Sequence, residues 1–345
     1  MYKSIIVNIT FIKYRLYFIF FVFIFLACSH KKTIKVERIS NVKYYTVTND
    51  IYPTLPGRLL YQDGKIFWED ALNSLLFMHM YDEKTGKELY SFANKGSGPE
   101  EFNRPTPTLL PDGGLMIKDL GSRLAIIYKP SGDTLKGTPT AFLGGGNWTR
   151  IAAINDSTLV YLYPGKEIPF KLQCKYQATH FGHRPINESC TNGYELFKGN
   201  IRYNSKRKIL VYCPINFLYM ATYDLSNSKI KLIRETENGI KHTRENGKIL
   251  LSKSTPFGTR DFDMTKDYIV AVQSDKEYEE ALDKQIYADK QISSTHSVFV
   301  YDYDLNLLKI YNFPFAIVRI AGDNLSNDVY LLASTPDFKI IRFKI

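Results

Sequence analysis

The chain has 345 residues, 44% of them hydrophobic and 14% aromatic, and a formal net charge of +10. That length accommodates one large domain or two ordinary ones, and no apolar run beyond residue 28 is long enough to cross a bilayer. The basic excess is spread over Lys31-Lys32, Lys206-Arg207-Lys208 and residues 339–344 as a solvated surface. This argues against nucleic acid as a partner and favours anionic glycans or lipid head groups wherever the fold gathers the charge.

The first element in chain order is an address. Lys3, Lys13 and Arg15 form a basic n-region, residues 16–26 are an unbroken apolar and aromatic run, and Ala27-Cys28 closes it. The run is shorter than the roughly 20 residues of a spanning helix, which disfavours an uncleaved anchor. Cys28 stands where a bacterial lipoprotein signal peptidase cuts and the new terminus is acylated, although Phe25 occupies a position where such signals usually carry Leu or Val. The expected layout is a signal peptide over 1–27, a short tether over 28–32 and a folded domain over 33–345. Ser29 fits transfer to the outer membrane, and His30-Lys31-Lys32 lacks an acidic surface-export run, so a periplasm-facing lipoprotein is expected.

From residue 58 onward, short runs rich in Tyr, Phe, Val, Ile and Thr alternate with Gly, Asn, Asp and Pro, which are strand signals with turn punctuation. Strands are predicted at 58–61, 65–69, 75–81 and 88–92, joined at Gln62-Asp63-Gly64 and Lys84-Thr85-Gly86. The unit recurs at 108–142, then at 149–176 with three clear strands, at 199–234, at 260–313 and at 316–345. Six copies spaced by about 50 residues are a signature of radial repetition. The predicted fold is all-β, a six-bladed β-propeller of four-stranded antiparallel blades. The last copy lacks a fourth strand, and residues 33–48, in extended patterning, are expected to supply it and close the ring. Residues 275–291, with Tyr278, Leu282 and Ile286 four apart, predict a short amphipathic helix inserted in the fifth copy.

After the first copy comes Lys95-Gly96-Ser97-Gly98-Pro99-Glu100-Glu101-Phe102, in which Gly96, Gly98 and Pro99 set a rigid turn ahead of Glu101. With the lipoprotein signal, this resembles the TolB-like six-bladed propeller lipoproteins of Gram-negative bacteria, where a Gly-x-Gly-Pro-x-Glu turn follows the first blade. Arg260-Asp261-Phe262-Asp263, Val298-Phe299-Val300-Tyr301-Asp302 and Val329-Tyr330-Leu331-Leu332 fit the same family. The resemblance implies architecture and carries over no catalytic set.

Chemistry is sparse in the sequence. Cys174, Cys190 and Cys213 allow one disulfide, Cys174 with Cys190, or three buried thiols. His180 and His183 are the only close histidine pair and read as a polar loop rather than a metal site. No catalytic, cofactor or metal residues are assigned, and no cofactor is expected. Trp148, beside Gly144-Gly145-Gly146, is the candidate ligand contact, as an indole on which a sugar stacks. The favoured function is a lipid-anchored, non-enzymatic module that holds an envelope protein or glycan, with the bilayer as the partner of its acyl chains. The alternative is an envelope polysaccharide hydrolase or lyase using carboxylates at the channel, among them Glu100, Glu101, Asp119, Asp261 and Asp263.

Overall fold

A computed structural model describes residues 35–72, 75–131, 134–141, 148–174, 177–227, 229–236, 239–280 and 295–345. The signal segment, Cys28, Gly144 to Gly146 and the helix expected beyond residue 280 lie outside the described residues. The chain enters through β1 (Glu37–Ile39) and β2 (Tyr44–Thr48). Blade one is β3 (Pro56–Gln62), β4 (Lys65–Asp70), β5 (Leu76–Asp82) and β6 (Glu88–Asn94), and blade two is β7 (Pro105–Leu109), β8 (Leu115–Asp119), β9 (Leu124–Ser131) and β10 (Thr134–Ala141). Blade three is β11 (Arg150–Asn155), β12 (Thr158–Leu162), β13 (Phe170–Cys174) and β14 (Gln177–Phe181). A helical turn at Gly193–Leu196 leads to blade four, which is β15 (Gly199–Asn204), β16 (Ile209–Pro214), β17 (Ala221–Asp224) and β18 (Lys231–Glu235).

A separate hairpin, β19 (His242–Glu245) with β20 (Lys248–Leu251), precedes blade five. Blade five is β21 (Asp261–Met264), β22 (Ile269–Gln273), β23 (Ser297–Tyr301) and β24 (Leu307–Asn312). Blade six is β25 (Ala316–Gly322), β26 (Asp328–Thr335) and β27 (Asp337–Lys344), completed by β2 pairing antiparallel to β27. The six-bladed ring is therefore closed by the N-terminal segment, as its extended pattern predicts. That segment divides its work, because β1 adds a fifth strand to blade five, parallel to β24.

The period of two along each strand explains why these residues form blades. Successive side chains point to opposite faces, and in a propeller both faces of a blade meet a neighbour. In blade one Leu59, Ile66 and Trp68 enter the core shared with blade six, whereas Leu60 and Phe67 enter the core shared with blade two. Six such cores exist, one in every seam of the ring. Two tight joints use the turn chemistry that the strand twist demands: Asp63-Gly64 and Asn246-Gly247 all have positive φ, of 49°, 76°, 50° and 76°, the pattern that favours a two-residue hairpin.

Two details differ from the sequence expectation. His180 lies in the outermost strand of blade three, paired opposite Lys171, rather than in a loop. The β19–β20 hairpin is additional to the six copies. Of the inserted helix, residues 276–280 are helical, beginning with the Glu279 amide donating to Asp275 O at 2.9 Å. Cys174, Cys190 and Cys213 are all free, Cys213 being buried. Among the described residues no helix is long and apolar enough to cross a membrane.

Candidate functional site

The innermost strands β3, β7, β11, β15, β21 and β25 adjoin one another in that order around a central channel. Where these strands begin, the channel opens into a cavity of about 370 Å³ lined by Arg58, Arg150, Arg202, Arg260 and Arg319 together with Glu69 and Asp261. The five arginines come from five different blades, each within its innermost strand or, for Arg260, immediately before it. Blade two contributes Pro105 and Thr106 instead.

Four of the guanidiniums reach forward to the next blade. Arg58 Nη1 donates to Pro107 O at 2.5 Å, and Arg150 Nε donates to Asn200 Oδ1 at 3.0 Å. Arg202 Nη2 stands 3.5 Å from Asp261 Oδ1. Arg319 closes the circuit by donating from Nε to Gly57 O and from Nη2 to Pro56 O, the latter at 2.8 Å. These clips fix the heads of long side chains that would otherwise be rotationally free, a pre-organised arrangement suited to planar oxyanions.

Charge at this mouth is unbalanced, and the two carboxylates are already engaged. Glu69 Oε2 accepts the Arg58 amide at 3.2 Å. Asp261 accepts the Phe262 amide at 3.0 Å and the Ile320 amide at 3.4 Å. Burial, then the charges of Arg150 and Arg202, push the Arg58 guanidinium well below its usual range. Burial and then Arg202 lower Arg150 in the same direction. Guanidinium groups stay protonated in proteins, so these shifts express repulsion and lost hydration that an anion would relieve.

At the opposite end the channel narrows to about 60 Å³ between Gln62, Tyr203, Asp263 and Asn324. Gln62 Nε2 donates across the seam to Leu110 O at 2.8 Å. Asp263 accepts the Gly322 amide at 3.1 Å and the Met264 amide at 2.9 Å. Burial raises its carboxyl from the ordinary 3.8 to about 6, against the opposing pull of Arg202 and those amides.

The two ends also differ in exposed apolar surface. Because the strands of a blade run antiparallel, the connections into each first strand and those between second and third strands share the wide end of the channel. Those connections carry Tyr52, Leu55, Leu72, Leu75, Ile168, Tyr194 and Phe257 as exposed large hydrophobics, Tyr52 at 81% and Phe257 at 73%. Among the described residues the connections at the narrow end carry only Leu325.

The residues singled out in the sequence fall elsewhere. Gly96, Gly98, Pro99 and Glu101 are gathered in the turn between blades one and two, where Glu101 Oε2 accepts the Gly98 amide at 2.8 Å. A Cβ on Gly96, whose φ is +158°, would sit 2.0 Å from that same Oε2, so the spacing of the motif lets its carboxylate fold back over its glycines. An open depression of about 350 Å³ adjoins the turn, but its acid Asp119 is tied to the amides of Asn103, Arg104 and Gly121. Trp148 is fully buried. Its ring meets Tyr161 edge-on at 5.4 Å in the core between blades two and three. This corrects the expected ligand contact, since an indole inside a seam has no face left for a sugar. His183 pairs with Glu235 at 2.9 Å and His180 is exposed. The arginines carry a weak sequence signal: one arginine within the first strand, or immediately before it, in five of six copies.

Comparison with known proteins bears on the fold. A family model described as TolB-like 6-blade propeller-like matches residues 37–324. No curated protein sequence matches the chain. Among solved structures, a member of the DUF4221 family from Bacteroides vulgatus is similar with a TM-score of 0.53 and 12% identity, covering 89% of this chain and 94% of that one. Raptor from Chaetomium thermophilum is similar with a TM-score of 0.51 and 12% identity, over 88% of this chain and 29% of that one. At such identities the likeness concerns the fold alone.

Proposed function

This chain belongs to the TolB-like six-bladed propeller family, and we propose that it works as a lipid-anchored, non-catalytic binding module of the cell envelope that holds a partner on the wide end of its channel. The observation that carries this reading is the asymmetry of exposed apolar surface between the two ends, seven large hydrophobics on one set of connections against one on the other among the described residues. Single exposed apolar residues are ordinary, whereas their concentration on one face marks interaction surface. The Cys28 signal supports the anchor. The engaged state of Asp261 and Asp263, each accepting two backbone amides, supports binding over acid–base chemistry on a polysaccharide.

Capture from the native envelope tests the face. A partner retained by the wild-type protein and by Leu325→Glu, but lost from Tyr52→Glu and Phe257→Glu, is the expected result. Equal retention by all four proteins would refute the assignment of the face. Intact-mass measurement of membrane-extracted protein is expected to show a mature terminus at Cys28 bearing acyl chains, and an unmodified terminus elsewhere removes the anchor from the proposal.

A further inference from the structure

Resting on the reading of the wide end as the binding face, we infer that the arginine-lined mouth is a binding site for a small ligand bearing two or more oxyanion groups, carboxylate or phosphate. Five guanidiniums from five blades converge on one cavity of about 370 Å³, within the usual range for small-molecule sites. The channel narrows beyond them, so a ligand enters from the wide end and rests against the ring of charges.

An inter-blade role alone accounts for only part of this arrangement. Each guanidinium offers five N–H donors, and among the described residues the clip made by Arg58 uses Nη1 alone. The buried Nε of Arg202 has no hydrogen-bond partner among the described residues and lies 4.0 Å from Asp263 Oδ1. Clips between blades need no clustering of like charge, yet beside the burial that lowers Arg58 and Arg150 most, each also faces neighbouring guanidiniums that lower it further. One anionic group meets one or two guanidiniums in a bidentate fork; a ring on five blades therefore matches a ligand with at least two such groups. Among the described residues the lining has no aromatic side chain, so recognition rests on charge and hydrogen bonding in place of ring stacking.

Isothermal titration of the folded mature protein with citrate, pyrophosphate and digalacturonate, with maltose as the neutral control, tests the inference and separates the sources of the oxyanion. One-to-one binding of at least one anion is expected, weakening as salt is raised, with no binding of maltose. Arg58→Gln and Arg150→Gln should each weaken that binding by about ten- to a hundred-fold. If either variant fails to fold, Arg260→Gln at the exposed rim takes its place. Absence of binding by all three anions, equal affinity in the variants, or equal binding of maltose overturns the inference. Loss of partner capture in Tyr52→Glu and Phe257→Glu with no anion binding leaves the module and refutes the oxyanion site. Anion binding with unchanged capture refutes the apolar face as the partner's surface and keeps the site.

Discussion

Two charged clusters sit on this ring, and they are built on opposite principles. Where blade six meets blade one, Glu83 accepts hydrogen bonds from Tyr61 Oη at 2.9 Å and Tyr330 Oη at 2.7 Å, and pairs with Arg342 at 2.5 Å. The two phenol rings stack at 4.2 Å, and Arg342 also reaches Asp328 at 2.9 Å. Burial pushes the Tyr61 hydroxyl up to about 12 and raises Tyr330 in the same direction, so both remain donors. At the channel mouth, by contrast, five guanidiniums face two carboxylates. The seam cluster is satisfied within the protein and holds the ring closed. The mouth cluster is left electrostatically incomplete, a state that stabilises nothing by itself and favours an external anion.

The largest effects should come from breaking the satisfied cluster. Glu83→Ala strands two buried hydroxyls and leaves Arg342 paired with Asp328 alone, and is expected to lower unfolding stability by about 2–4 kcal/mol in urea melts. Glu83→Gln keeps an acceptor and should lose less; a change below about 1 kcal/mol for the alanine variant would remove the seam from the account. Trp148→Ala should be comparable, about 3–5 kcal/mol, because it empties a packed site between blades two and three. Its affinity for any anion at the mouth should be unchanged, and a selective loss of ligand would reinstate the indole as a contact.

Asp263 tests the passage between the clusters through pH. It faces Arg202, Asp261 and the amides of Gly322 and Met264. Folded, its carboxyl keeps a proton until about pH 6, whereas its ordinary value is 3.8. The native state thus binds more protons between these values, and stability contributed by this group is full below the lower value and lost as pH rises through the upper one. The loss amounts to about 3 kcal/mol at most. Asp263→Asn cannot titrate, so its stability deficit against wild type should shrink across that window. A constant deficit from pH 4 to pH 6 would show that the carboxyl titrates normally.

The sequence conveyed the blades because alternation feeds two cores at once. Ile66-Phe67-Trp68 is legible as a strand because each residue has a seam to enter. The outermost strand of blade three was not legible, since Gln177 to His180 are all exposed and show no alternation. The β19–β20 hairpin is similarly polar in its first strand, yet Asn246-Gly247 was a usable signal. Trp148 misled because a run of glycines beside it says nothing about the direction of its side chain. The mouth depends on ring closure: arginines from residue 58 to residue 319 become neighbours only when blade six returns to blade one.

The smallest expected effect is also the sharpest separation of the two clusters. In the unliganded protein Arg150→Gln removes the Nε bond to Asn200 Oδ1, a loss of about 1 kcal/mol, while relieving repulsion from Arg202 and Arg319 and the burial of one charge. The two contributions oppose one another, so its unfolding stability should lie within about 1 kcal/mol of wild type, or rise. Arg202→Gln differs although it lines the same mouth. It leaves Asp261 and Asp263 without their nearby cation, and should cost several times more, in line with removal of one partner from a buried pair. Paired urea melts of these two variants decide the matter. Equal losses would mean that the guanidiniums act as interchangeable clips; a large loss only at Arg202 locates the uncompensated charge at Arg150 and Arg58, where an anion gains most by binding.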